Sequence, residues 1–273
     1  MCEFIDDIIN ELNKLSITDV DEVKQMIKDS FDAKLKGKKF DSSMKKHCGS
    51  EGNWIETQFK EGVNSNINSD YHGFEIKKES PKITFGDWSA DEYIFNPKDI
   101  LKKYNQDINI SKDDFLEMFG HLNVIKQRYS WSGSVCPSKY NYWTSSGQIL
   151  LCDSKNNIFV IYKYCKDGRR NIDIPENIKN KTFIILAYWS IESLENKISK
   201  KFNNHGTVIV KKNKEKEYFC LQFCKPIDIN LFIREFKNQI IIFDSGMYAG
   251  NSRNYSQFRS SKLLWDSITD EIY

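Results

Sequence analysis

The stretch Asp70-Tyr-His-Gly-Phe-Glu75-Ile-Lys77 holds an acid, a second acid five positions on, and a base two positions beyond that. In an extended strand alternate side chains share a face, so Glu75 and Lys77 point the same way. Asp70 precedes them by a short turn containing Gly73, which lets its carboxylate come back toward Glu75. Two converging carboxylates repel each other. A divalent cation between them removes the repulsion and supplies the means to attack a phosphodiester.

Glu-x-Lys alone means little in a chain with 40 Lys+Arg and 38 Asp+Glu, and it occurs at Glu22, Glu75, Glu195 and Glu235. The residues five before these glutamates are Ile17, Asp70, Ser190 and Asn230, so one occurrence has the upstream acid. That one also reads Phe-Glu-Ile-Lys, a half-buried strand alternation, whereas Glu22 and Glu195 sit in stretches of helical period. The competing reading of the spacing is a solvated, charged strand edge.

Further candidates surround it. Glu56 lies on an expected helix fourteen residues before Asp70, where the alternative is a solvated helix glutamate. Lys77 would stabilise charge developing on the phosphorus or orient the attacking water, unless it is a surface strand lysine like Lys78. His72 reads as incidental to its turn. Arg128-Tyr129-Ser-Trp131 combines a bidentate donor with aromatics, as base or phosphate contacts require, or packs under a loop. The run 250–259 contains Arg253, Asn254, Gln257 and Arg259, side-chain types that read guanine and adenine edges; a merely polar surface loop is the alternative.

The elements that must position these residues follow from periodicity. Residues 3–15 and 19–35 read as amphipathic helices, 53–60 as a short helix carrying Trp54, Ile55 and Phe59 inward, and 83–85 as the strand after the motif. Helices are expected at 96–104, with Pro97 in the first turn, and at 111–119. The segments 124–131 and 140–143 read as aromatic and irregular. Hairpins are expected from 148–152 with 158–164 and from 207–210 with 218–223. A buried strand at 182–188 leads into a helix at 190–201, and a helix at 227–236 into a buried strand at 240–243. The polar loop that follows would present 253–259 from a rigid element, as base readout demands. The mixture reads as α/β with a mixed sheet.

Bulk properties exclude several classes. Composition is ordinary globular, with 40% hydrophobic and 14% aromatic residues. No stretch of about 18 apolar residues occurs, and the acidic start Met-Cys-Glu-Phe-Ile-Asp-Asp lacks a signal-peptide basic region. Seven irregularly spaced cysteines suggest reduced thiols, and Cys220 and Cys224 lack a partner pair for zinc. A cytoplasmic protein is expected. Residues 1–33 carry a net charge of −6, leaving +8 on the other 240; a body positive away from an acidic end suits a phosphate-binding surface. Walker-type loops, dinucleotide fingerprints, zinc-protease helices and Gly-x-Ser-x-Gly elbows are absent from the sequence.

The chain resembles the restriction endonucleases of the MvaI/BcnI group, relatives of the mismatch-repair nicking enzyme MutH within the PD-(D/E)XK nucleases. Residues 70–77 look like that family's Asp-x4-Glu-x-Lys motif, and Gly52-Asn-Trp-Ile-Glu56 falls where the family has a helix glutamate. Gln127-Arg128-Tyr129 looks like its Arg-Tyr segment, Tyr188-Trp189-Ser190 resembles its strand-to-helix junction, and Asn254-Tyr-Ser-Gln-Phe-Arg259 sits where relatives carry a recognition loop ending in arginine. The chain departs from the family at Ser69, in place of the proline, and in lacking the histidines of that loop.

The resemblance implies an α/β, PD-(D/E)XK restriction-endonuclease-like core, a central mixed β-sheet flanked by helices, with two lobes forming a DNA clamp. It implies an N-terminal helical segment at 1–45 and a nuclease domain at 46–273 with catalytic and recognition lobes. The activity implied is that of a Type II restriction endonuclease cutting double-stranded DNA with Mg²⁺, with Mn²⁺ as a substitute. Asp70, Glu75 and the Ile76 carbonyl would hold the metal, Lys77 and the metal would activate water, and Glu56 would support a second cation or the water network. Arg128, Tyr129, Arg253, Asn254, Gln257 and Arg259 would contact DNA. A monomer paired with a DNA methyltransferase is expected; the alternatives are a MutH-like nicking enzyme and a non-catalytic DNA-binding module.

Overall fold

The computed structural model of the chain describes residues 19–46, 49–59, 69–169 and 173–273. The helix expected at 3–15 lies outside the described residues. In chain order the elements are α1 (Val20–Lys34), α2 (Ser50–Phe59), β1 (Phe74–Lys78), β2 (Lys82–Asp87), β3 (Glu92–Tyr93), α3 (Asp99–Tyr104), α4 (Lys112–Phe119), β4 (His121–Asn123) and β5 (Arg128–Trp131). There follow β6 (Ser146–Cys152), β7 (Ile158–Asp167), α5 (Glu176–Lys179), β8 (Ile184–Trp189), α6 (Ile191–Lys201), β9 (Gly206–Lys212) and β10 (Tyr218–Cys224). The chain closes with α7 (Ile229–Lys237), β11 (Ile241–Ser245), β12 (Met247–Tyr248), β13 (Ser256–Ser261), α8 (Lys262–Ser267) and β14 (Thr269–Ile272). Two compact units result: unit 1 takes Met1–Glu79, Lys200–Pro226 and Thr269–Tyr273, and unit 2 takes Ser80–Ser199 and Ile227–Ile268.

Unit 1 is built on a mixed sheet in the order β1-β9-β10-β14, with β1 parallel to β9 and the other pairs antiparallel. On α1 the buried Val23, Ile27 and Phe31 recur at four-residue spacing and form one face. They join Ile55 and Phe59 of α2, Phe74 and Ile76 of β1, and Val208, Val210, Leu221 and Phe223 in one core cluster. Because Phe74 and Ile76 face this core, the strand's alternation sets Glu75 and Lys77 on its other face. The described part of the expected N-terminal segment therefore packs inside unit 1, in one core with β1.

Glu51 ties α2 to that sheet. Tyr218 Oη donates to Glu51 Oε1 at 2.8 Å and Lys78 Nζ to Oε2 at 3.1 Å, while Lys212 also pairs with Oε1. Burial pushes the Glu51 carboxyl up, but Lys212, Tyr218 and Lys78 outweigh it and bring the pKa from 4.5 down to about 2. One carboxylate thus holds the helix that carries Glu56 to β1, β9 and β10.

Unit 2 contains three antiparallel sheets, ordered β3-β8-β7-β6, β11-β13-β2 and β12-β5-β4. Phe243 joins them: its ring centroid lies 5.8 Å from Trp131 on β5, 5.1 Å from Trp189 on β8 and 5.5 Å from Phe258 on β13. Edge-to-face and tilted ring pairs of this kind bury large apolar area with defined geometry.

Three expectations are corrected here. The helix foreseen at 96–104 begins at Asp99, and its first amides are capped by Glu92 of β3, which accepts from Lys98, Ile100 and Leu101 N–H at 2.9, 3.1 and 2.8 Å. The irregular segment at 124–131 ends in β5, the second strand of a β4–β5 hairpin. The loop foreseen at 253–259 is in its second half the strand β13, paired on both sides. There Ser256, Phe258 and Ser260 face inward with no exposure, and small serines let the strand sit in a packed sheet despite its polarity. Among the described residues no helix is long and apolar enough to cross a membrane, and Cys136, Cys152, Cys165, Cys220 and Cys224 form no disulfide.

Glu51→Gln should lower the thermal midpoint at pH 7 by several degrees, roughly 3–6 °C, by weakening the α2 clamp. A carboxyl with a depressed native pKa contributes stability above its unfolded value and loses it as pH falls through the native one. The gap between variant and wild type should accordingly narrow as pH drops below about 4.5, measured by circular-dichroism melting. A gap independent of pH would assign the effect to packing.

Candidate active site and nucleic-acid interface

A tight turn brings the two acids together. Tyr71 N–H donates to Phe74 O at 2.9 Å and Phe74 N–H to Tyr71 O at 2.8 Å, with His72 and Gly73 both at positive φ. A Cβ on Gly73 would stand 2.7 Å from the His205 ring, so glycine is required for both conformation and space. The turn folds Asp70 back over the start of β1, where its Oδ2 accepts the Ile76 N–H at 3.0 Å. His72 itself is exposed.

Glu75 is wholly buried in a polar environment. Its Oε1 pairs with Lys77 and, at 2.9 Å, with Lys201 at the end of α6. Its Oε2 is buried without a hydrogen-bond partner among the described residues. Thr207, paired with Glu75 across the parallel β1–β9 register, has an equally buried, unpartnered Oγ1. Paired residues on adjacent strands share a face, so the two orphaned oxygens stand on the same side of the sheet.

The charges there are unbalanced toward the negative. Burial pushes the Glu75 carboxyl up, Asp70 adds to the rise, and Lys77 and Lys201 oppose it without cancelling it. For Lys77, burial favours the neutral amine, yet Glu75, Asp70 and Glu56 outweigh burial and hold the ammonium protonated above its usual range. A cation beside Glu75 would relieve both the acid–acid repulsion and the unpartnered Oε2. Among the described residues no three His, Cys, Asp or Glu side chains converge as ready ligands. The donor set is instead two carboxylates with neighbouring main-chain oxygen, which suits a hard, oxygen-preferring ion that keeps waters.

Asp70, Glu75, Ile76 and Lys77 are thus brought together, and Glu56 on α2 acts on the same group through its charge on Lys77. Sequence reasoning missed Lys201 and Thr207. No local signal marks either, since only the β1–β9 pairing and the end of α6 bring them to Glu75.

In unit 2 the recognition candidates fall on two sheets. The Arg128 guanidinium carbon lies 3.3 Å from the centroid of the Tyr248 ring, over its face, and Arg128 Nε is buried without an acceptor among the described residues. Tyr129 lines a cavity of about 560 Å³ with Asp114, Glu117, His121 and Asp173, acidic surroundings for a phosphate contact. On β13, Arg259 donates to Gln257 Oε1 from Nε at 2.8 Å and from Nη2 at 2.6 Å, and its Nε lies 3.1 Å from Asp244 on β11. Gln257 is buried, and its Nε2 donates to Tyr255 Oη, so its amide is occupied in holding Arg259. Exposed Arg253 pairs with Asp87 at 2.6 Å. The Asn254 carbonyl accepts from Ser89 Oγ at 2.7 Å. Asp244, which holds Arg259, and Tyr248, which carries Arg128, lie four residues apart on the β11–β12 segment; the sequence reading placed neither.

The family model described as LlaMI restriction endonuclease matches residues 34–273. The chain is 33% identical over 267 residues to "Type II restriction enzyme ScrFI" of Lactococcus lactis subsp. cremoris, covering 92% of this chain and 98% of that protein. Among solved structures it is similar to "Restriction endonuclease MvaI-cognate DNA substrate complex", with a TM-score of 0.56 at 13% identity over 93% of this chain and 97% of that one. That last likeness is one of fold, the PD-(D/E)XK type. The chain belongs to the LlaMI restriction endonuclease family.

Proposed function

We infer that this Type II restriction endonuclease hydrolyses double-stranded DNA at a short specific sequence with Mg²⁺ held by Asp70, Glu75 and the Ile76 carbonyl. The observation that carries the reading is the wholly buried Glu75, with two lysines on one oxygen and nothing on the other. A carboxylate is costly to bury unless further positive charge completes its surroundings. When bound, the ion would supply Lewis acidity toward a phosphoryl oxygen and lower the pKa of a water.

The chain's own groups have separable tasks. Lys77, kept protonated by three acids, donates rather than accepts; it orients the attacking water and neutralises charge growing on the phosphate oxygens. Lys201 balances Glu75 and fixes the orientation of its carboxylate, leaving Oε2 directed to the ion. Asp70 is held in place by the Ile76 N–H. Glu56 adds negative potential, supporting Lys77 or a second ion. Specificity falls to Arg259 and Arg128, with Arg253 and Asn254 beside them, Gln257 as a support for Arg259, and Tyr129 at the groove edge. The enzyme acts as a monomer in the cytoplasm, where a DNA methyltransferase of the same specificity must mask host sites from cleavage.

Plasmid incubated with the protein should yield discrete fragments with Mg²⁺ or Mn²⁺ and remain intact in EDTA; nicked circles alone would mark a nicking enzyme. Asp70→Ala and Glu75→Ala should each lose cleavage by at least about 10³-fold while retarding DNA as well as wild type, because repulsion from phosphate is relieved. Loss of both folding and binding would make these carboxylates structural.

Lys201→Ala should lower kcat about 10–100-fold with a smaller change in KM, the scale of groups that orient a metal ligand, and Lys201→Arg should recover part of it. Equal loss in both substitutions, together with a lower melting temperature, would reduce Lys201 to a packing role. Arg259→Ala should weaken cognate cleavage roughly 5–150-fold, the scale of one bidentate guanine contact, with little change in nonspecific retardation. Uniform weakening on all sequences with a flatter salt dependence would make it a phosphate contact.

A further inference from the structure

At the tip of the β4–β5 hairpin stand aliphatic side chains that the fold leaves in solvent. Ile125 is 95% exposed and Val124 69%, with Leu122 behind them on β4 half exposed. Turns at such positions ordinarily carry Gly, Asn, Asp or Ser. This one is nonetheless stiff: Asn123 Oδ1 accepts the Lys126 N–H at 2.9 Å, and Gln127 Nε2 donates to the Val124 carbonyl at 2.8 Å. The ribbon is anchored behind the tip, where β5 pairs with β12 and Trp131 is fully buried. Val and Ile are β-branched, so they offer few rotamers and lose little freedom on contact. Apolar atoms held rigidly in water, on a built support, mark a surface made for a partner.

The neighbouring charges name that partner. Lys126 is exposed at the tip, and Arg128 follows on β5, stacked on Tyr248. Asp114, Glu117 and Asp173 line the cavity at the root of the hairpin with His121, Leu122 and Tyr129. A tip that is aliphatic and cationic fits a polyanion with apolar groups in its floor. The major groove of duplex DNA is such a surface: it admits a two-stranded β-ribbon, and the C5 position of each pyrimidine, methylated in thymine, is its apolar feature.

We propose that the β4–β5 hairpin enters the major groove of the DNA substrate, that Val124 and Ile125 pack against pyrimidine C5 positions there, and that Arg128 donates to an adjacent guanine. This rests on the reading of the chain as a double-strand restriction endonuclease. The tip reads the presence or absence of a methyl group at C5, and Tyr248 fixes the plane in which Arg128 presents its donors. Apolar contact of this kind changes affinity about fourfold for each methyl group buried.

The test uses the full-length protein. Fragment ends from plasmid cleavage define the target sequence. Duplexes are then made in which each thymine in and beside it becomes uracil, and each cytosine 5-methylcytosine, and KM and kcat are measured on each. Wild type should respond by about fourfold or more in KM at one or two pyrimidines, and Val124→Ser/Ile125→Ser should lose the response at those positions. Should the double variant melt early, Ile125→Thr keeps the branched shape and should show a reduced response. The proposal is overturned if the variants respond like wild type at every position, or if no pyrimidine affects wild type. It is overturned too if sedimentation shows wild type self-associating and the double variant monomeric, which would give the tip to a second copy. Absence of any Mg²⁺-dependent cleavage by wild type would overturn the nuclease reading itself, and the hairpin's role with it.

Discussion

A carboxylate without solvent exposure dictates much of what unit 1 contains. Glu75 sits on a strand whose alternate residues, Phe74 and Ile76, are committed to the core, so its position cannot relax outward. The charge must then be met where it is, by Lys77 from the same strand and by Lys201 from the end of α6. Both lysines meet Oε1, and the remaining oxygen, on the same face as Thr207 of β9, has no hydrogen-bond partner among the described residues. An apolar residue at position 75 would make a more stable sheet. The cost of keeping an acid there is met elsewhere, in part by the Glu51 clamp that fixes α2 to three strands of the same sheet.

A parallel economy of support operates in unit 2. Arginine is useful for reading guanine when its planar fork is held in one orientation. Arg259 is held in plane by Gln257 and Asp244, and Arg128 by the face of Tyr248. Asp244 and Tyr248 issue from one continuous stretch, β11 into β12, whose Phe243 is packed against Trp131, Trp189 and Phe258. Donor direction in this unit is thus inherited from an aromatic core, and a substitution at Phe243 would disturb both arginines together.

What the sequence disclosed was local, and what it concealed was tertiary. The i, i+2 relation of Glu75 and Lys77 and the glycine turn after Asp70 are properties of a few consecutive residues, and both appear as read. The face of α1, with Val23, Ile27 and Phe31, was legible for the same reason. Lys201 is separated from Glu75 by the whole of residues 80–199, and a lysine ending a helix is ordinarily solvated. The strand β13 was hidden because its inward positions are serines rather than branched apolar residues. Glu92 was hidden as a helix cap because it acts from another strand rather than from the residue before the helix. In each case the deciding partner is remote in sequence and leaves no periodic trace.

The connection between β1 and β9 explains how such a chain can diversify. Two parallel neighbours cannot be joined by a tight turn and need a long crossover. Here the crossover contains the whole first stretch of unit 2, residues 80–199, and a second excursion at 227–268 supplies the rest before β14 returns to pair with β10. The strand β1 and its parallel partner are constrained by Glu75, the core beneath it and the lysines paired with it. The inserted stretches are constrained by their own aromatic core. The stretches of unit 2 can therefore change without altering the β1–β9 pairing that carries Glu75.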